Sequence, residues 1–332
     1  MQYGLEFGLD ALVATGLAQA AIHKLDVAAK HYPFSSSIKA TEPSTGSSLW
    51  SIYREMYDSK ILAPVMPYDS NALVSARIKA AMKDGRPEEI SRLTSTLSFE
   101  KGDEDIERYT REITWLAVLL TFGTSRPNHK IRLDFFLMHL VTSSIFLPSF
   151  FKAMNGMKAE YKANLIRAYV PSMLLYTIVR GRPRINPELA MSFNDVPRPP
   201  KSAYSVDNTS IGSPERDEEY NPWPALIEGS LYAPDSHTVK TMRALVHAAV
   251  QYGDTPKGEV VDKGLLEATG ALDGLDNVAV LDGSIFVRCA GVLLDYMGWT
   301  THGQEARSDW DRSGLGWDAA WENEKESARF PE

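Results

Sequence analysis

Ser236-His237-Thr238-Val239-Lys240-Thr241-Met242-Arg243-Ala244-Leu245-Val246-His247-Ala248-Ala249-Val250-Gln251-Tyr252 reads as one amphipathic helix, and its reading decides the fold class. Asp235 or Ser236 supplies an N-cap oxygen for the free amides of the first turn, and Gly253 ends the element. The same period of 3.6 recurs on both sides. Downstream, Ser284 to Met297 forms a second such helix, stopped by Gly298.

Upstream, Leu9 to about His31 keeps Leu9, Leu12, Val13, Leu17, Ala20 and Ala21 on one face. A Pro/Ser/Thr loop from about Pro33 to Ser47 separates it from a helix holding Trp50, Tyr53, Met56 and Tyr57. Leu73 to Met82 follows, closed by Asp84-Gly85. Pro87-Glu88-Glu89 and Gly102-Asp103-Glu104-Asp105 place acids in first turns, where the helix dipole favours them, and the second helix runs to Phe122 with Gly123 behind it. Ile131 to about Asn155 and Lys158 to about Arg180 are apolar on most faces and hold Pro148 and Pro171, which predict a kink or interruption in each. Strand alternation is nearly absent, and no repeat is visible. The expected architecture is all-α: one large multi-helix domain over residues 1–332, with an irregular excursion rich in Pro, Asp and Ser at 181–222.

Composition excludes several classes of function. A net charge of -8 with scattered Lys and Arg offers no basic stripe for a phosphate backbone, so nucleic acid is not an expected partner. The longest uncharged run, Phe135 to Phe151, contains His139, Ser143, Ser144 and Pro148, and a buried helix suits it better than a membrane span. The single cysteine, Cys289, and a start without a basic, apolar leader lead to the expectation of a reducing, cytoplasmic location. No G-x-G-x-x-G turn, flavin-type signature, phosphate-binding loop, G-x-S-x-G elbow or C-x-x-C pair occurs. Any nicotinamide cofactor must then bind in some other way.

The histidines carry the remaining chemical information. His139 sits inside Phe136-Leu137-Met138-His139-Leu140-Val141, where an imidazole stays neutral and hydrogen-bonded or binds a metal. His237 and Lys240, at i and i+3, share a helix face. His247 lies ten residues beyond His237, about 15 Å along the axis, so the two cannot share a metal. Lys240 coordinates only after losing its proton, as a neutral amine or as the carbamate formed with carbon dioxide; the plain alternative is a lysine with its head group in water. A set of His and carboxylate ligands with open positions suits non-haem iron, with Glu6, Asp134 and Asp295 as candidate carboxylates. The Trp-, Arg- and Asp-rich end from Gly298 to Asp318 reads either as a wall for a flat substrate or as a clasp of Arg–Asp pairs and buried indoles; the clasp is the favoured reading.

Five stretches together resemble the questin oxidase-like family: Tyr3-Gly4-Leu5-Glu6-Phe7-Gly8, Arg132-Leu133-Asp134-Phe135-Phe136-Leu137-Met138-His139, Asn186-Pro187-Glu188-Leu189, His237-Thr238-Val239-Lys240 and Asp309-Trp310-Asp311-Arg312-Ser313-Gly314-Leu315-Gly316-Trp317. The resemblance implies a helical oxidoreductase that uses dioxygen to open a ring of an aromatic, anthraquinone-like polyketide in fungal secondary metabolism. It implies metal-ligand roles for His139, His237 and Lys240, with non-haem iron or NADPH as cofactor. It also implies a His-rich region ahead of the Gly-Leu-Glu-Phe-Gly stretch; this chain starts at Met1-Gln2, so an incomplete metal site is expected in it. The rival expectations are a metal-free Baeyer-Villiger oxidase drawing on NADPH, and an inactive helical scaffold.

Overall fold

Every regular element among the described residues is helical, as the 3.6-residue period predicts. The computed structural model describes residues 1–23, 46–153, 156–200, 220–261, 275, 277–307 and 310–324. The continuation of the first long helix toward His31, and residues 201–219 of the excursion, lie outside them.

The chain forms two compact units. The first comprises Met1–Leu116 and Ser143–Arg182, the second Ala117–Thr142 and Pro183–Glu332. In the first, α1 (Gln2–Phe7) turns at Gly8 into α2 (Asp10–Ile22). The two helices pack closely at Gly4, where a Cβ would come within 2.7 Å of Val13. The apolar residues of α2 are not buried: Leu12, Leu17 and Ile22 stay 45%, 54% and 76% exposed.

α3 (Leu49–Asp58) behaves in the opposite way. Ser48 caps it, and Leu49, Trp50, Ile52, Tyr53, Met56 and Tyr57 all face inward. Burying each large apolar side chain contributes about 1.5–3 kcal/mol, which is why this face rather than α2 anchors the unit. α3 packs on α5 (Arg86–Thr94), and α9 (Ala159–Val179) packs on α5 and on α4 (Val74–Ala81). α6 (Asp103–Phe122) carries its acids in the first turn, as read from the sequence.

The uncharged run beginning at Phe135 is long and apolar enough to cross a membrane by composition, but it is two helices, α7 (Phe135–Ser144) and α8 (Phe146–Ala153). Pro148 accounts for the break. It offers no N–H to the Ser144 carbonyl, and its ring crowds that carbonyl. Pro171, by contrast, lies within α9, which continues on both sides of it.

In the second unit α12 (Ser236–Tyr252) packs on α13 (Ile285–Met297), α11 (Trp223–Leu231) on both, and the short α10 (Pro187–Met191) on α13. α12 buries Met242, Ala244, Leu245 and Ala248, and α13 buries Ile285, Phe286, Cys289, Leu293 and Leu294. The end of the described chain is a clasp. Arg132 pairs with Asp311 and donates to the Ala320 carbonyl at 2.7 Å, while Trp310, Trp317 and Trp321 are buried. An isolated parallel bridge fixes the register: Phe135 N–H donates to the Asp311 carbonyl and Asp311 N–H to the Leu133 carbonyl, both at 2.8 Å.

Candidate functional site

Two helix starts in the second unit face each other. α7 begins at Asp134, a fully buried carboxylate that accepts from the amides of Phe136 (2.9 Å) and Leu137 (3.1 Å). With that start fixed, Leu137, Met138 and Val141 point into the core, while Phe135, Phe136 and His139 form a half-buried face. α12 begins at Asp235, whose Oδ1 accepts from the amide of His237 at 3.0 Å. His237 then lies in the first turn, one turn ahead of Lys240.

The structure brings His139 and His237 together, with ring centroids 5.3 Å apart at 65°. Phe135 completes a triangle of edge-to-face rings, 4.8 Å from His139 and 4.9 Å from His237. Both imidazoles are held at Nδ1. That of His139 donates to the Phe135 carbonyl at 2.7 Å, and that of His237 to Asp235 Oδ1 at 2.7 Å. A carbonyl or a carboxylate can only accept, so each Nδ1 carries a proton, which leaves the lone pair of a neutral ring on Nε2. Histidines that bind metals are oriented in this way.

The surroundings of His139 support its neutral form. Burial pushes the His139 imidazole below its ordinary value, outweighing the Phe135 carbonyl, and cationic neighbours, Lys240 and Arg312 among them, act in the same direction. Burial would raise the Asp235 carboxyl, but the amide and ring N–H groups of His237 and the Trp310 indole outweigh it and hold the acid below its ordinary value. Trp310 Nε1 donates to Asp235 Oδ2 at 2.6 Å, so both carboxylate oxygens are engaged. The clasp and the site therefore share residues.

The other sequence candidates lie elsewhere. Asp134 uses its Oδ1 in the cap, and Asp295 accepts from the Trp299 indole at 2.7 Å. Glu6 belongs to the first unit, where Gln2 donates to it. His129 packs on Trp321, His302 lies against Trp299, and His23 is exposed at the end of α2. Among the described residues no group of three or more His, Cys, Asp or Glu side chains converges as a metal site. Of the three residues singled out in the sequence, His139 and His237 are in ring contact and Lys240 is close enough to act on His139 electrostatically. Sequence reasoning treated Asp235 only as a cap and did not assign Trp310 or Arg312 individually. The legible signal was Asp235-Ser236-His237, because an aspartate that caps a helix two residues before a histidine can reach that ring's Nδ1 as well.

Asp235→Ala tests this arrangement in metal-free protein. Nitrogen chemical shifts are expected to report an Nδ1–H tautomer for His237 in the wild type and a tautomer mixture in the variant, with about 1 kcal/mol of stability lost with the cap. An unchanged tautomer would show that Asp235 does not set it.

Among its described residues the second unit is a helical assembly presenting two histidines, one held by a carbonyl and one by a carboxylate, beside aromatic rings. The family assignment is specific: residues 1–245 match the Questin oxidase-like family, and the chain belongs to that family. It is 24% identical over 193 residues to the oxidoreductase AflY of Aspergillus parasiticus, covering 58% of this chain and 34% of the relative. It is 23% identical over 274 residues to the Baeyer-Villiger monooxygenase dmxR6 of Cryptosporiopsis sp., covering 78% of this chain and 53% of the relative. The chain thus spans about a third and about half the length of these curated relatives.

Proposed function

We propose that the chain is an oxidoreductase that uses dioxygen to oxygenate and open a ring of an anthraquinone-like polyketide, at a non-haem iron held in part by His139, His237 and Lys240. The pairing of the His139 and His237 rings, each held at Nδ1 from behind, is the observation that carries this reading. Iron bound there supplies activation of dioxygen. Asp235 holds the His237 ring in place and raises its basicity toward a cation. Phe135 and Phe136, half-buried and edge-to-face at 5.2 Å, offer aromatic surface to a flat substrate. Lys240 contributes as a neutral amine or as a carbamate, so unmodified lysine mass together with unaltered iron content in Lys240→Ala would remove it from the ligand set. The same reading puts the protein in the reducing cytoplasm, where Cys289, buried in α13, remains a thiol.

The name of one relative, a Baeyer-Villiger monooxygenase, favours a second reading, a Baeyer-Villiger oxidation, which we take to be metal-free and to draw on NADPH. Electron bookkeeping separates the two. A ring-opening dioxygenation places both oxygen atoms in the product and needs no reductant, whereas a monooxygenation places one there and reduces the other to water with two electrons from NADPH. The test is turnover of an anthraquinone under isotope-labelled dioxygen, with and without a chelator. Two labelled atoms and loss of activity on chelation are expected. One labelled atom with NADPH consumed and no effect of chelator would establish the second reading, and protein without iron or turnover would overturn both.

A further inference from the structure

Arg312 is an exposed cation of the second unit whose side chain lies over a ring of the candidate site. Its guanidinium carbon lies 3.9 Å from the centroid of the Phe135 ring, the ring that also touches His139 and His237. It donates to the Trp310 carbonyl at 3.3 Å. Other arginines of this unit have carboxylate partners: Arg132 pairs with Asp311, Arg126 with Asp318 and Arg288 with Asp195. No Asp or Glu side chain among the described residues pairs with Arg312, although acids outnumber bases 43 to 35 in the chain. The nearby carboxylate, Asp235, is committed to His237 and Trp310.

The residue is nonetheless held in place. The bridge at Asp311 fixes the backbone beside it, and stacking on Phe135 orders its long side chain. A positioned guanidinium with unused N–H donors, at the edge of an aromatic and histidine cluster, is suited to bidentate recognition of an oxyanion.

We propose that Arg312 is the anion anchor of the site, so that the flat substrate is bound as an acid, through a carboxylate or phenolate on its ring. This deepens the proposed function and rests on it. The aromatic body lies against Phe135, and the negative oxygen meets the guanidinium on the same ring's face. Arg312 thereby sets which edge of the substrate is turned toward the histidines.

Binding to the metal-free full chain tests this without turnover. The probes are anthraquinone-2-carboxylate and its methyl ester, read by calorimetry or quenching of tryptophan fluorescence. Wild-type protein is expected to favour the acid by about tenfold, the ratio an exposed charge-assisted hydrogen bond supplies, and the preference should shrink as salt rises. In Arg312→Gln the acid-to-ester ratio is expected to fall to near one, and in Arg312→Lys to stay between the two. Equal affinity for acid and ester in the wild type, or an unchanged ratio in Arg312→Gln, would overturn the anchor while leaving the aromatic oxidoreductase intact. Failure of both probes to bind the wild type would overturn the anchor together with the reading beneath it.

Discussion

Replacing His139 and His237 together by alanine is expected to reduce iron retention to background and to slow dioxygen uptake with an anthraquinone by more than about a thousandfold. The estimate follows from the several kcal/mol of charge stabilisation that a Lewis-acid metal supplies, at about 1.4 kcal/mol per factor of ten. Either single replacement should come close to the double, because ligands that hold one ion act as a unit and their losses do not add. Both rings are half-buried at helix starts and take no part in the α12–α13 core, so helicity should be retained. His139→Gln and His237→Gln, which keep more of the side-chain volume, separate loss of a ligand from loss of packing. The checks are metal analysis of purified protein and oxygen-electrode rates. Undiminished turnover in the double variant would exclude these histidines from the chemistry and favour the NADPH-dependent reading.

The helices were legible because their signals are local. α12 runs from Ser236 to Tyr252, and α6 ends at Phe122 just before Gly123, since caps and dipole-complementary acids depend on neighbours a few residues away. The interruption at Pro148 was legible in kind, as one missing N–H. What local pattern could not convey is which apolar faces find a partner. The single apolar face expected from Leu9 to Ala21 is not what α2 shows: its apolar residues are spread around the helix and stay exposed, whereas those of α3 gather on one face and are buried. The site divides along the same line. The spacing of His237 and Lys240 was readable from the helix, and the family resemblance singled out His139. Their convergence depends on Asp311 pairing with the start of α7 across more than half the chain, and no period in the sequence records that.

That long-range pairing makes Arg132→Ala the variant with the largest expected effect on the fold around the site. The guanidinium pairs with Asp311, donates to the Ala320 carbonyl and to Ser313, and stacks 4.9 Å from the Trp321 ring. Its side chain and that of Asp311 are only 14% and 10% exposed. Alanine leaves a nearly buried carboxylate without its cation and a carbonyl without its donor. A loss of about 2–4 kcal/mol is expected, near the range for breaking a buried ion pair by removing one partner. Arg132→Lys should restore less than half, because an ammonium cannot reproduce the forked geometry. Five of the seven tryptophans, Trp223, Trp299, Trp310, Trp317 and Trp321, lie in the second unit, so a fall in the urea midpoint followed by tryptophan fluorescence reports mainly on it. The damage should extend to the site. Trp310 and Arg312 flank Asp311, so a loosened clasp weakens the indole donor to Asp235 and the cation on Phe135 together. Metal-free Arg132→Ala is therefore expected to lose both the fixed His237 tautomer and the preference for an acidic anthraquinone. A variant that is destabilised yet keeps both properties would show that the clasp holds the chain end without organising the site.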